Sequence, residues 1–171
     1  MEIELIFFIF GILFLFLILA LSFISEIKFE SENNTEIKDL FVFKVEITKI
    51  KTNVSYVEKT NSSYIPLGFE FHSDVLSFGE IPINSPIERV RRVITLNNLD
   101  ENVAKVKIFC KGNICNFLNI SSNNFFLLSK EKKDVEISAE NKNVKGNFEG
   151  YIYINVFKPK HKFLEVFVWL L

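Results

Sequence analysis

The longest uncharged stretch of the chain runs from Leu5 to Ile24 and reads LIFFIFGILFLFLILALSFI. As a helix, at roughly 1.5 Å per residue, it would extend about 30 Å, which matches the thickness of the hydrocarbon core of a bilayer. The stretch therefore predicts an N-terminal transmembrane anchor over residues 1–25. Whatever follows must fold as a domain that is held beside a membrane.

A cleaved signal peptide is the alternative to a retained anchor. Such a peptide needs a basic start, an apolar core of about 7 to 15 residues and small residues at its end. Residues 1–4 contain no Lys or Arg, and the apolar run is longer than a signal peptide needs. Ala20-Leu21-Ser22 nevertheless resembles a weak cleavage site. Both alternatives stay open, and both deliver the chain to a membrane.

The charges beside the anchor give a weak signal for its orientation. Lys28 and Lys38 follow the anchor and are interspersed with Glu26, Glu30 and Glu36. Positive residues favour the cytoplasmic side, so this flank alone favours a cytoplasmic domain. The cysteine pair and the glycosylation triplets described below favour the outside. We expect an extracytoplasmic domain at the cell membrane, with a cytoplasm-facing tethered scaffold as the alternative.

The charge of the chain argues against a nucleic-acid partner. Its 20 Lys and Arg residues are balanced by 21 Asp and Glu residues, and the one arginine cluster consists of Arg89, Arg91 and Arg92. Nucleic-acid binding requires a concentrated basic surface, because it depends on neutralising phosphates. We therefore expect no nucleic-acid partner.

After a polar juxtamembrane spacer over residues 26–38, the pattern predicts a β domain over residues 39–171. Apolar and polar residues alternate in many short segments separated by turn residues, which is typical of an antiparallel sandwich. No segment after the anchor shows helical spacing. The predicted strands are Phe41–Ile47, Val54–Glu58, Phe69–Phe71, Val75–Ile81, Val90–Leu96, Val103–Phe109, Phe117–Ile120, Phe125–Leu128, Val135–Ala139, Phe148–Phe157 and Phe163–Leu170.

The last two predicted strands carry an unusual number of aromatic residues. If they pair as a hairpin through the loop KPKHK, their inward residues are Phe148, Ile152, Ile154, Val156, Leu164, Val166, Val168 and Leu170. The outward residues then form a continuous aromatic patch of Tyr151, Tyr153, Phe157, Phe163, Phe167 and Trp169. Such a patch is normally covered. Another part of this chain, such as the strand around Phe41–Ile47, is one possible cover, and lipid headgroups are another.

The functional interpretation is that the aromatic patch binds a protein partner, because aromatic side chains supply most interface hot spots. The predicted contact residues are Tyr151, Tyr153, Phe163, Phe167 and Trp169.

The order of the strand signals resembles the Hydin-type (ASH) branch of PapD-like immunoglobulin-fold domains. The resemblance covers about residues 71–157. It rests on VLSFGEI at 75–81, RVITLNN at 92–98, AKVKI at 104–108, FLNI at 117–120, VEI at 135–137 and FEGYIYI at 148–154. It implies an immunoglobulin-like β-sandwich with a core over about residues 71–171. It also implies a non-catalytic interaction or scaffold module, although such a fold carries many functions.

Cys110 and Cys115 flank a four-residue segment that contains Gly112. The two ends of a tight hairpin can bring Cβ atoms to bridging distance, so a local disulfide is expected in an oxidising compartment. Two free thiols, or a redox or metal role, are the alternatives. The spacing is not that of a zinc site, and no second Cys or His pair accompanies it.

We predict no catalytic, cofactor or metal site. His72 and His161 are the only histidines, and neither is accompanied by a nucleophile motif. The chain has only 6 glycines and no glycine-rich phosphate loop. Glu136 and Glu140 fall on the solvent face of a predicted strand. An enzyme or metal protein would need a histidine and carboxylates to converge in a pocket.

Four triplets match the N-glycosylation acceptor, and they begin at Asn33, Asn53, Asn61 and Asn119. Three of the four lie between the anchor and the expected sandwich core. In sum, we expect a single-pass, non-enzymatic membrane protein, an accessory or assembly subunit that presents a binding surface outside the cell.

Overall fold

The computed structural model describes residues 30–32, 35–40, 42–58 and 75–170. These residues form ten strands, two 3-10 helices at Asn113–Asn116 and Lys162–Leu164, and the α-helix α1 at Glu165–Trp169. The strands are β1 Glu30–Glu32, β2 Thr35–Asp39, β3 Phe43–Val57, β4 Val75–Pro82, β5 Arg89–Asn97, β6 Ala104–Gly112, β7 Leu118–Ile120, β8 Asn124–Leu127, β9 Lys132–Glu140 and β10 Gly146–Pro159.

The strands form two sheets. The larger sheet has the order β1-β2-β3-β10-β6-β8, with β4 added parallel to β3, and the smaller sheet has the order β5-β9-β7. The other strand pairs among the described residues are antiparallel. The buried core draws residues from both sheets, among them Ile152 of β10 and Ile137 of β9. The predicted all-β architecture is therefore confirmed.

The faces of two strands follow the predicted alternation. Val135, Ile137 and Ala139 of β9 are fully buried, and so is Ile152 of β10. Ile154 of β10 is buried as well, with 4 % of its surface exposed. Successive side chains of a strand point to opposite faces, so the polar residues between these positions are directed away from the core. The buried faces of these two strands can thus be predicted from the sequence.

Tyr56 lies in the core, near the C-terminal end of β3. Its side chain is 1 % exposed, and its hydroxyl donates a hydrogen bond to the backbone carbonyl of Glu140 at 2.5 Å. Burial raises the pKa of Tyr56 to about 12, with a further contribution from the negative charge of Glu140. The phenol therefore keeps its proton at neutral pH and ties β3 to the end of β9.

The segment from Phe43 to Val57 is one continuous strand, where the sequence predicts two shorter ones. The difference arises because Thr52, a polar residue, occupies an inward position. Its hydroxyl donates to the backbone carbonyl of Leu76 at 3.0 Å, so the buried oxygen is satisfied without breaking the strand.

β1 and all of β2 except its last residue, Asp39, lie inside the segment that the sequence predicts as a spacer. Both are short and rich in charged residues, which is typical of strands at a sheet edge. The larger sheet therefore begins well before residue 39.

The prediction of a final strand at 163–170 is wrong, and so are the hairpin with β10 and the expectation of no helix. Residues 162–169 form a 3-10 turn followed by α1. β10 is already paired with β3 along one edge and with β6 along the other, so no edge is left for a hairpin partner. Apolar residues occupy both faces of the segment, and such a run does not distinguish a strand from a helix.

The predicted anchor and its weak cleavage site lie outside the described residues. Within the described ranges, no helix is both long and apolar enough to cross a bilayer.

Candidate functional site

The outer face of the larger sheet carries the strongest candidate for a binding site. β10 points Ile152 into the core, so its neighbours Tyr151 and Tyr153 lie on the outer face. In the register, Tyr151 pairs with Lys51 and Lys111, and Tyr153 pairs with Lys49 and Phe109. We call this surface the lysine–aromatic face and define it by Lys49, Lys51, Phe109, Lys111, Tyr151 and Tyr153.

The rings and the ammonium groups of this face contact one another. Phe109 and Tyr153 stack with their centroids 5.1 Å apart and their planes within 3° of parallel. Tyr151 lies 6.5 Å from Tyr153, and the Lys49 Nζ lies 4.0 Å from the centroid of the Tyr151 ring. The Lys111 Nζ is 5.4 Å from the Tyr153 ring and 5.9 Å from the Phe109 ring. Such cation–π contacts hold both groups in place.

The face has a net positive charge and is open to solvent. It contains three lysines, and the adjacent Glu149 carboxylate lies 3.6 Å from the Lys51 Nζ. Tyr151 and Phe109 are each 37 % exposed. Tyr151 and Tyr153 lie on β10, which pairs with β3 on one edge and with β6 on the other, so their backbone is fixed by hydrogen bonds on both edges. The face is therefore a preformed cationic and aromatic surface.

The structure divides the predicted aromatic set between two places. Tyr151 and Tyr153 lie on the lysine–aromatic face, whereas Phe163, Phe167 and Trp169 belong to the helical segment beyond β10. The hairpin on which the predicted patch depended does not form, because residues 162–169 are helical.

Part of the outer face is covered by α1. Trp169 packs on Phe126 of β8 with the ring centroids 4.1 Å apart, and Lys105 of β6 is only 7 % exposed there. The Lys105 Nζ lies 4.8 Å from the Phe126 ring. α1 therefore packs over the β6–β8 end of the outer face of the larger sheet.

Sequence reasoning did not find four residues of this face, Lys49, Lys51, Phe109 and Lys111. Phe109 and Lys111 alternate in β6 with the inward residues Ile108 and Cys110, so their outward direction was readable. The missing information was the register that places β3 and β6 on either side of β10.

Cys110 and Cys115 are joined by a disulfide, with their Cα atoms 5.6 Å apart. The bridge links the end of β6 to the 3-10 helix at Asn113–Asn116. It therefore lies at the same end of the sheet as Lys111 and fixes the turn that follows this residue.

The predicted glycosylation sites are scattered, and so are the histidines and carboxylates that the sequence analysis considered and rejected as chemical sites. His161 is exposed and stacks on Phe163 with the ring centroids 5.6 Å apart, and Glu136 forms an ion pair with Arg91 at 3.3 Å. Asn119 is exposed on β7, and Asn53 is half-buried within β3. His72, Asn33 and Asn61 lie outside the described residues. No group of three or more His, Cys, Asp or Glu residues in the described part of the chain could hold a metal ion.

A polar cleft at the other end of the larger sheet is a weaker candidate. The Lys158 Nζ bridges Glu46 at 2.8 Å and Asp100 at 2.9 Å, and the Lys160 Nζ lies 3.2 Å from Asp39. Burial lowers the pKa of Lys158, but the bonds to the two carboxylates outweigh it and the net shift is upward. These groups neutralise one another, so the cleft is explained by its own ion pairs.

Comparison of the chain with protein-family models, with curated proteins and with solved structures finds no match. Function is therefore inferred from the geometry of the described residues. Among them, the lysine–aromatic face combines exposure, charge and a rigid backbone.

Proposed function

We propose that this chain is a non-catalytic, membrane-anchored binding module that holds an acidic partner protein on the lysine–aromatic face. It would serve as an accessory or assembly subunit of a structure at the outer membrane surface. The observation that carries the proposal is the cluster of lysines and aromatic rings on the exposed face of the sheet, on β10 and the two strands beside it.

The chemistry of the face favours a protein with an acidic surface. Aromatic side chains give large contact area and dominate binding energy in interfaces. The lysines steer an acidic partner toward the face and disfavour a basic one. Because neighbouring rings and ammonium groups already hold one another, little side-chain freedom is lost on binding.

The strand order supports the immunoglobulin-like part of the proposal. In that fold, strands B, E and D share one sheet and strands C, F and G share the other. Here β5-β9-β7 gives the first order, and β6-β10-β3 gives the second, with the early strand β3 in the place of the last one. β4 departs from the pattern, since it pairs with β3 instead of the smaller sheet.

The disulfide supports an extracytoplasmic position. Disulfides persist in oxidising compartments and are rare in the cytosol. The alternative, a cytoplasm-facing scaffold, predicts that Cys110 and Cys115 are reduced in cells.

A membrane-impermeant thiol reagent applied to intact cells tests this position. We expect no labelling before reduction, and labelling of Cys110 and Cys115 after treatment with an impermeant reductant. A Cys110→Ser/Cys115→Ser variant is the control and should remain unlabelled. Labelling that appears only after the cells are lysed would place the domain in the cytoplasm and contradict this part of the proposal.

Photocrosslinking in the native membrane tests the binding face. A photoreactive residue at Tyr151 or Phe109 should give one discrete adduct with a partner protein, and the same residue at Thr95, on the smaller sheet, should not. The Lys49→Glu/Lys111→Glu variant should lose most of the adduct, because the face becomes acidic. As a charge control, Lys132→Glu on β9 should retain it. Equal crosslinking from Tyr151 and Thr95, or none from Tyr151 and Phe109, would argue against this face.

A further inference from the structure

The segment that follows β10 exposes an apolar surface. Phe163 is 75 % exposed, Val166 66 %, Trp169 53 % and Leu170 78 %. Their spacing of three to four residues places them on one side of the short helical segment. The opposite side is packed, because Val168 is fully buried. We call the four exposed residues the apolar edge.

The loops beside this segment add further exposed apolar side chains. Leu99, in the loop between β5 and β6, and Leu128, after β8, are both more than half exposed. The two loops are joined by the Asn98 side-chain amide, which donates to the carbonyl of Leu128 at 3.0 Å. The same end of β6 meets the helical segment, because the Val103 backbone N–H donates to the Glu165 Oε1 at 3.3 Å. The exposed leucines and the apolar edge therefore lie at one end of the sandwich.

The chain also enters the larger sheet at this end. Glu30, the first residue of β1, pairs with Ile37, which pairs with Glu46, which in turn pairs with Val156 near the end of β10. β1 then runs away from this end. The Lys160 Nζ contacts Asp39 of β2 at 3.2 Å, which joins the entry point to the segment carrying the apolar edge.

The distance from the predicted anchor to this end is short. The anchor is predicted to end at residue 25, and five residues of chain span at most about 17 Å. A bilayer that holds the anchor therefore lies within that distance of Glu30. With the anchor in a bilayer, the end of the sandwich that carries the apolar edge is within reach of the membrane surface, and the end with the disulfide lies at the other end of the sheet.

We propose that the apolar edge is a second membrane contact, which inserts among the lipid headgroups of the bilayer that holds the anchor. This inference rests on the anchor of the proposed function. Trp and Phe side chains are favoured at the level of the headgroups, where their apolar rings are buried and a polar edge stays wet. The contact adds a second attachment point and restricts the rotation of the domain about its short tether.

The inserted surface is apolar, and two nearby lysines already have partners. Lys158 contacts Glu46 and Asp100, and Lys160 contacts Asp39. The contact therefore depends chiefly on apolar burial. The lysine–aromatic face is then held about 20 Å above the surface, the length of β10 from Tyr153 to Pro159 at about 3.3 Å per residue.

Trp169 is the only tryptophan of the chain, so its fluorescence reports on this surface alone. The full chain is reconstituted in phosphatidylcholine vesicles and compared with vesicles whose acyl chains carry bromine near the headgroup. We expect the brominated lipid to quench Trp169 by at least half and aqueous iodide to quench it little. Added phosphatidylglycerol should change neither result. Protection from iodide without quenching by the brominated lipid would indicate a contact between protein chains and overturn the inference.

Two variants and one wash complete the test. The Phe163→Ser/Val166→Ser variant should raise iodide quenching several-fold, and Val144→Ser, an exposed apolar position at the opposite end, should not. An alkaline wash then separates the two proposals. A chain that stays in the vesicles while iodide reaches its Trp169 contradicts only the second contact. A chain that is washed off contradicts the membrane anchor and with it the proposed function.

Discussion

Gly150→Ala is expected to remove a large part of the folding stability of the sandwich. The Cβ of an alanine at this position would clash with the backbone carbonyl oxygen of Lys111 and would lie 2.8 Å from the Cγ2 of Ile114. Gly150 pairs with Gly112 across the β6–β10 ladder, and the carbonyl belongs to the backbone, so the clash is relieved only by parting the two strands.

We estimate the cost at about 3 kcal/mol or more, the upper end of overpacking effects, against a total stability of about 5 to 15 kcal/mol. Urea unfolding followed by far-ultraviolet circular dichroism measures it. The expected result is that the folded β signal is lost at a much lower urea concentration than in the unchanged protein.

Gly79→Ala is the matched control. Gly79 has a positive φ of +73°, unlike Gly150, but nothing lies within 4 Å of the position that a Cβ would take. The substitution therefore introduces only backbone strain of about 1 to 2 kcal/mol. If the two variants were equally unstable, the close approach of β6 and β10 at Gly150 would not be the cause.

Gly112 and Gly150 also show which features of the fold can be predicted from the sequence and which cannot. The alternation in β9 and β10 locates the strands and their buried faces, because period-two burial is a local property of the chain. Neither Gly112 nor Gly150 has a local sequence pattern that would indicate its role. Their role appears only when the register brings Gly112 and Gly150 together from segments nearly forty residues apart.

The same limit explains why the aromatic patch was misassigned. A final strand paired with β10 was expected, since the two segments are adjacent in sequence and both are apolar. Instead β3, which lies about a hundred residues earlier, occupies that edge of β10. Sequence proximity favours hairpins, but the larger burial comes from a fifteen-residue strand whose inward residues include Ile50 and Val54. With that edge filled, residues 163–169 form helical turns.

Ile152→Ala is expected to destabilise the domain by about 3 to 4 kcal/mol, within the usual range for a buried isoleucine. The Ile152 side chain is fully buried, and the residue pairs with Ile50 on one side and Cys110 on the other. Truncation leaves a cavity at the centre of the larger sheet, because the disulfide and two paired strands hold its walls in place. The midpoint of urea unfolding measures the loss, and an unchanged midpoint would contradict the assigned face.

Tyr151, the residue before Ile152 on β10, is expected to tolerate substitution with little loss of stability. Tyr151→Ala should cost under about 1 kcal/mol of stability, because the ring is 37 % exposed and leaves no internal cavity. The same substitution should strongly reduce crosslinking to a partner from Phe109, since it removes the ring that Lys49 contacts. A stable Ile152→Ala variant with an unstable Tyr151→Ala variant would mean that β10 faces the other way. Consecutive residues of β10 thus belong to the core of this domain and to its proposed binding surface.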